Sequence, residues 1–151
     1  MRRNLLVRIR VVGIPVASQS AGKLQKKERL FMPTLIANPT RIEAVTNKTI
    51  LIDEYIGRLQ SGHQQVSIAY LQCPAGWIEP GQTPTFEEFT LVMKGTLRIT
   101  HKGGYIDVQA GQSIITHPGE WVQYSTTDAE GADYVAVCLP AFSMDEAHRD
   151  L

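Results

Sequence analysis

The sequence is poor in cysteine and histidine, carries no net charge and has no long apolar run. Its 151 residues include two cysteines and four histidines. Cys73 and Cys138 stand far apart, with no C-x-x-C partner. That excludes a zinc knuckle and a dithiol redox motif, and it leaves two reduced thiols on strands as the reading. No apolar stretch approaches the roughly 20 residues that span a bilayer, so no membrane partner is expected. A Ser-His-Asp signature, a phosphate-cradling loop and a dinucleotide fingerprint are all missing. Gly76 and Gly81 are too isolated to supply one, and no strand-then-helix context surrounds them.

The zero net charge hides an asymmetry. Residues 1–31 hold eight basic residues against Glu28 alone, a charge of +7. Residues 32–151 hold the other seven basic residues against 14 acidic ones, a charge of −7. An acidic body argues against nucleic acid as a partner, because phosphate binding needs a basic surface. Four readings of the basic head stand open: a secretion signal interrupted by Arg8 and Arg10, an organelle transit peptide, sequence upstream of a start at Met32, or an extension in which Leu5 to Val12 adds a strand. We divide the chain into a basic N-terminal extension, 1–31, and a single domain, 32–151. The length is enough to bury a core without disulfides. The expected location is cytoplasmic.

What the body does contain is a run of short β-branched and apolar stretches. They are Ile50 to Ile56, Val66 to Gln72, Glu88 to Met93, Thr96 to Thr100, Tyr105 to Val108, Ser113 to Thr116, Trp121 to Ser125 and Tyr134 to Leu139. Turn signals separate them: Ser61-Gly62, Pro80-Gly81, Lys94-Gly95, Gly103-Gly104, Ala110-Gly111, Pro118-Gly119 and Glu130-Gly131. Gly103-Gly104 marks a hairpin. Short strands at this spacing predict an all-β sandwich or small barrel. Helix is expected only as one or two turns in Ser143 to Leu151 and as a short piece in 34–39.

Two glycine-framed segments carry a resemblance. Gly76 is followed after five residues by Gln82-Thr83-Pro84, after three more by Glu88 and after six more by Gly95. Gly111 is followed after five residues by His117-Pro118-Gly119, after two more by Val122 and after three more by Thr126. This pattern resembles the two motifs of cupins, in order and spacing, over about residues 65–140. It is most similar to cupins that lack the paired histidines, such as the ethanolamine-utilisation type. The resemblance implies a cupin jelly-roll barrel with an N-terminal extension, and by family habit a homodimer, which also covers edge strands. The family's metal ligands fall on Gln82, Pro84, Glu88 and Val122, and only Glu88 keeps a ligand side chain. A divalent metal needs three or four N or O side chains converging on it. The cofactor that such a motif ordinarily holds is therefore in doubt, and no metal-binding residues are assigned.

Strand alternation then sets the candidate site. If Glu88 points inward, so do Thr90 and Val92, and Val122 inward brings Tyr124 with it. Glu88 and Tyr124 are the candidate catalytic residues. A carboxyl buried among apolar neighbours has a raised pKa and can serve as acid or base near neutrality. Tyr124 can donate a hydrogen bond to a ligand oxygen, and Gln82 can donate and accept. Gln82, Thr90, Trp77 and His148 are the candidate ligand-binding residues. Trp77, Glu79 and Trp121 are placed near the rim, with packing as the competing role for both tryptophans. His63 and His101 read as surface residues, and His117 as a rim residue. In several cupins the tail folds back over the barrel, which would bring Phe142 onto apolar surface and His148 to the pocket. The alternative is a solvated terminus.

The function expected is the binding of a small molecule in a concave barrel interior. Three classes stay open: a metal-independent enzyme using Glu88, a non-catalytic ligand-binding or scaffold cupin, and a metalloenzyme with a non-standard ligand set. Fold alone does not choose among them.

Overall fold

The computed structural model describes residues 8–12 and 32–151. Nine strands and one short helix follow in order. They are β1 Arg8–Val12, β2 Thr40–Val45, β3 Thr49–Ile56, β4 Ser67–Cys73, β5 Glu87–His101, β6 Gly104–Gln109, β7 Ser113–Thr116, β8 Val122–Thr126, β9 Ala132–Leu139 and α1 Met144–Ala147. Every strand pairing is antiparallel. One sheet runs β1-β2-β3-β4-β9, then the first half of β5, then β7. The other places β6 and β8 on either side of the second half of β5. Side chains of both sheets meet in one core, giving an all-β barrel.

The strand β5 is the hinge of this arrangement. Its outer ends look like two strands separated by a Lys94-Gly95 turn, and the structure corrects that expectation. The chain bulges between Val92 and Lys94 and continues into the second sheet. Gly95 makes the bend with φ +70°, and a Cβ there would stand 1.9 Å from the Gly131 carbonyl oxygen. The extra residue also switches which side of β5 faces in. Glu88, Thr90 and Val92 are buried before the bulge, Leu97 and Ile99 after it. The core proper gathers Trp77, Val92, Leu97, Ile99, Val108 and Tyr124, with Tyr134 and Ala136 from β9.

The turn before β6 is formed by Lys102 and Gly103, with His101 opposite Gly104, so the glycine pair does close a hairpin. Cys73 and Cys138 are free and buried at strand positions. The helix expected in 34–39 is absent, and Pro39 disfavours helical backbone at the residue before it. The tail forms only one helical turn, α1, capped by the Ser143 hydroxyl accepting from the Glu146 amide. Of the proposed Leu5 to Val12 strand, Arg8–Val12 is β1, paired with β2. The remaining expectations for the head fall on residues 1–7 and 13–31, outside the described residues. Among the described residues no helix is long and apolar enough to cross a membrane.

Candidate functional site

The barrel interior changes character along its length. At one end it is aliphatic. At the other, polar side chains enter from three elements. The segment Trp77 to Gln82 lies along β8, through Glu79 N–H to the Tyr124 carbonyl (3.1 Å) and a reciprocal Gln82–Val122 pair at 2.9 Å. This pairing turns Trp77, Glu79 and Gln82 inward, and all three are buried. From β5 come Glu88 and Thr90, and from β8 comes Tyr124, also buried. Thr90 donates to Glu88 Oε1 at 3.3 Å. The Tyr124 hydroxyl shares a 3.0 Å hydrogen bond with Thr116 on β7. Its ring lies nearly parallel to that of Tyr134, with centroids 6.4 Å apart.

The fourth element is the tail, which folds back over the barrel as the resemblance implies. After α1 the chain turns at His148, whose φ is +46°, and runs back beside residues 81–85. The Thr83 amide donates to the His148 carbonyl, the Thr85 amide to that of Glu146, and the Asp150 amide to that of Gly81, at 2.8 to 3.2 Å. The Trp121 indole donates to Asp150 Oδ2 at 2.9 Å. Ala147 packs with Phe86, Cys138 and Phe142. This strap delivers Arg149, whose Nη2 stands 3.6 Å from Glu79 Oε2.

Two carboxyls therefore lie buried within reach of each other's charge. Burial pushes the Glu88 carboxyl up to about 7, and the charge of Glu79 pushes the same way against Thr90, Arg149 and Tyr124. Burial likewise raises Glu79 to about 7, against the pull of Arg149. Burial holds the Tyr124 and Tyr134 phenols well above their usual range, and it raises both cysteine thiols. Among the described residues three buried polar atoms have no partner: Trp77 Nε1, Gln82 Oε1 and Arg149 Nε. Native interiors leave few such atoms, and two of these belong to the paired residues Gln82 and Arg149.

The structure brings together Gln82, Glu88, Thr90 and Tyr124 as alternation predicts. It moves Trp77 from the rim into the core, where the indole is fully buried. The reason is its main-chain pairing with Thr126, which fixes the tryptophan on the inward side. It moves Glu79 inward as well, two residues on. The tail folds back, but His148 is exposed and Arg149 takes the inward position. His117 is exposed on the rim, 3.3 Å from Glu87. His63 and His101 make only local contacts, to the Ser61 hydroxyl and the Gly103 amide. The residues do not fit a divalent metal at the family position. Pro84 and Val122 offer no donor, and among the described residues no three His, Cys, Asp or Glu cluster suitably.

An open groove of about 600 Å³ is lined by β5–β6, β7 and the His117–Val122 loop, with the buried Ile99, Thr116 and Val122 in its wall. Thr116 is hydrogen-bonded to Tyr124, and Glu79, Gln82, Glu88 and Arg149 do not line the groove.

Comparison with known proteins agrees with this architecture. A family model described as an AraC-like ligand binding domain matches residues 65–151. A Myxococcus xanthus protein named endoribonuclease YbeY is 33% identical over 99 residues, covering 66% of this chain. The chain spans about a third of that relative's length, 34%. Among solved structures, a putative ethanolamine utilization protein Q of Salmonella typhimurium aligns at TM-score 0.55 and 16% identity, over 64% of this chain and 73% of that one. The Clostridium difficile EutQ protein aligns at 0.53 and 19%, over 63% and 71%. A Bacillus subtilis oxalate decarboxylase variant aligns at 0.61 and 16%, over 76% and 31%. At these identities the structural likenesses speak for the fold.

Proposed function

Since the chain belongs to the AraC-like ligand-binding family of the cupin superfamily, we propose that it binds a small polar organic molecule in the chamber between Glu79, Glu88 and the C-terminal strap. The observation that carries this is the pair of buried acids set among buried polar atoms without partners. A protein of this size does not gain stability from such groups. Ligand atoms that complete their hydrogen bonds would offset the cost of burying them.

A thermal-shift screen of small carboxylates, polyols and amines tests it, because a ligand of the folded state raises apparent stability. A compound that raises Tm in the wild type, but not in Glu88→Gln, places the ligand against Glu88. If every stabilising compound acts equally on both proteins, the chamber is not the site.

A metal-independent enzyme is the second reading, and one observation favours it. Glu88 is held near neutrality beside a neutral Tyr124. As a carboxylate it accepts a proton from the ligand, and as an acid it returns one, leaving no net change in the protein. The signature is Glu88→Gln that still binds the ligand but no longer turns it over. A homodimer belongs to the same reading, supported by Leu91, Met93 and Ile115, which are exposed on the outer sheet face. Light scattering that returns a monomer mass removes that part. The name of the longer Myxococcus relative is that protein's own, and the −7 charge of residues 32–151 does not favour RNA as the ligand.

A further inference from the structure

The strap that covers the chamber also brings a cation to it. Arg149 forms a main-chain bridge with Gln82, so the two residues are neighbours where the strap meets the barrel. The Arg149 side chain is 18% exposed, and its Nη2 is 3.6 Å from Glu79 Oε2. That is too long for a charge-assisted hydrogen bond, which falls near 2.7–2.9 Å. The adjacent Nε is buried and has no partner. The edge formed by Nε and Nη2 is the one that grips a carboxylate through two parallel bonds, and here Glu79 meets only its Nη2 end, at a loose distance. On the paired residue, Gln82 is 3% exposed and its Oε1 is buried without a donor. A half-used fork and an empty acceptor thus stand on paired residues.

We infer that Arg149 determines the specificity of the chamber by gripping the carboxylate of a small hydroxy acid, whose hydroxyl donates to Gln82 Oε1. This rests on the chamber being the ligand site. The inventory of free groups separates the alternatives. An amine cation would meet the guanidinium at close range. A neutral polyol fills the acceptor of Gln82 but uses the fork only in part. A carboxylate with a neighbouring hydroxyl completes both. Its charge is tolerated because Glu79 and Glu88 can take up protons near neutrality, while burial keeps Tyr124, Tyr134, Cys73 and Cys138 in their neutral forms. The strap therefore closes the chamber and completes its binding surface with one segment.

Nitrogen-15 NMR of the full chain tests this, with glycolate, acetate, glycerol and methylammonium as probes at about pH 6, where both acids are mostly protonated. The chain has two tryptophans. Trp121, bonded to Asp150, reports whether the strap is seated. The expected result is that glycolate moves the Arg149 Nε–H resonance and binds about tenfold more tightly than acetate, the effect of one further hydrogen bond. Arg149→Lys, which keeps the charge and loses the fork, is expected to weaken glycolate by more than about tenfold with the Trp121 indole unmoved. The inference is overturned if glycolate leaves Arg149 unmoved in the wild type, a result that needs no variant to fold. It is also overturned if Arg149→Lys binds glycolate as well as the wild type does. If glycerol or methylammonium moves the Gln82 side-chain amide and glycolate does not, the chamber remains the site and the role given to Arg149 falls. If no probe moves either resonance, both readings fall.

Discussion

Glu79 and Glu88 make the stability of the ligand-free protein depend on pH in an unusual direction. Both carboxyls are raised from an ordinary 4.5 to about 7 in the folded state. Between those values the folded chain holds more protons than the unfolded chain. Their contribution is therefore fully present below about 4.5 and is lost as pH rises through 7. The upper bound is roughly 3 kcal/mol per acid, and the coupling of the two reduces what either supplies alone. Calorimetry should show a higher Tm near pH 5.5 than near pH 8, and Glu88→Gln should flatten the difference chiefly by stabilising the protein at about pH 8. A Tm that is level or rises over that interval contradicts the shared burial of the acids. At this scale much of the chamber was legible in the sequence. Alternation from Glu88 and from Val122 correctly turns Thr90 and Tyr124 inward. Glu79 was legible too, because it shares a strand face with Trp77, but placing the tryptophan at the rim took the glutamate with it. Arg149 depended on a tertiary contact. The left-handed turn at His148, directly after α1, sends Arg149 back along Gln82, and no local pattern in the tail signals that turn.

Among the elements, β5 decides whether the barrel closes. Its fifteen residues serve both sheets because Gly95 bends the chain without ending it. Gly95→Ala would place a methyl group 1.9 Å from the Gly131 carbonyl oxygen at a φ of +70°. No flexible side chain stands there to yield, only backbone. The expected loss is more than about 2 kcal/mol, read from the urea midpoint. A variant that unfolds at the wild-type midpoint would show that β5 tolerates another route between the sheets. The sequence marks this glycine but does not say what it does, since a turn and a bulge leave the same local signal. The difference lies in β8, β9 and the Gly131 carbonyl, which are distant in sequence. β2 escaped notice for a related reason. Within Thr40–Val45 charged and apolar residues alternate only over the four positions Arg41 to Ala44, just after Pro39, and its pairing with β3 is what makes it a strand.

On the scale of the whole molecule the charge asymmetry meets the sheet order. The basic head contributes β1, which lies at the outer end of the first sheet and pairs with β2. All five of its residues are exposed, so it buries little apolar surface. Among the described residues the core clusters draw on none before Ala44. Removing β1 would uncover the edge of β2, where Arg41 and Glu43 stand. Charged edges discourage pairing with other chains, and Arg41 would keep its two-pronged bond to Asp53 at 2.7 and 2.8 Å. We therefore predict that residues 32–151 fold alone as an acidic barrel. The melt should be cooperative, with Tm within about 5 °C of the full chain, a shift that corresponds to roughly 1 kcal/mol. The near-UV circular dichroism should be unchanged, because Trp77 is held by Thr126 and Trp121 by Asp150, all within residues 32–151. If the shortened chain melts without cooperativity or loses that spectrum, β1 is part of the folding unit and the boundary at residue 31 is misplaced.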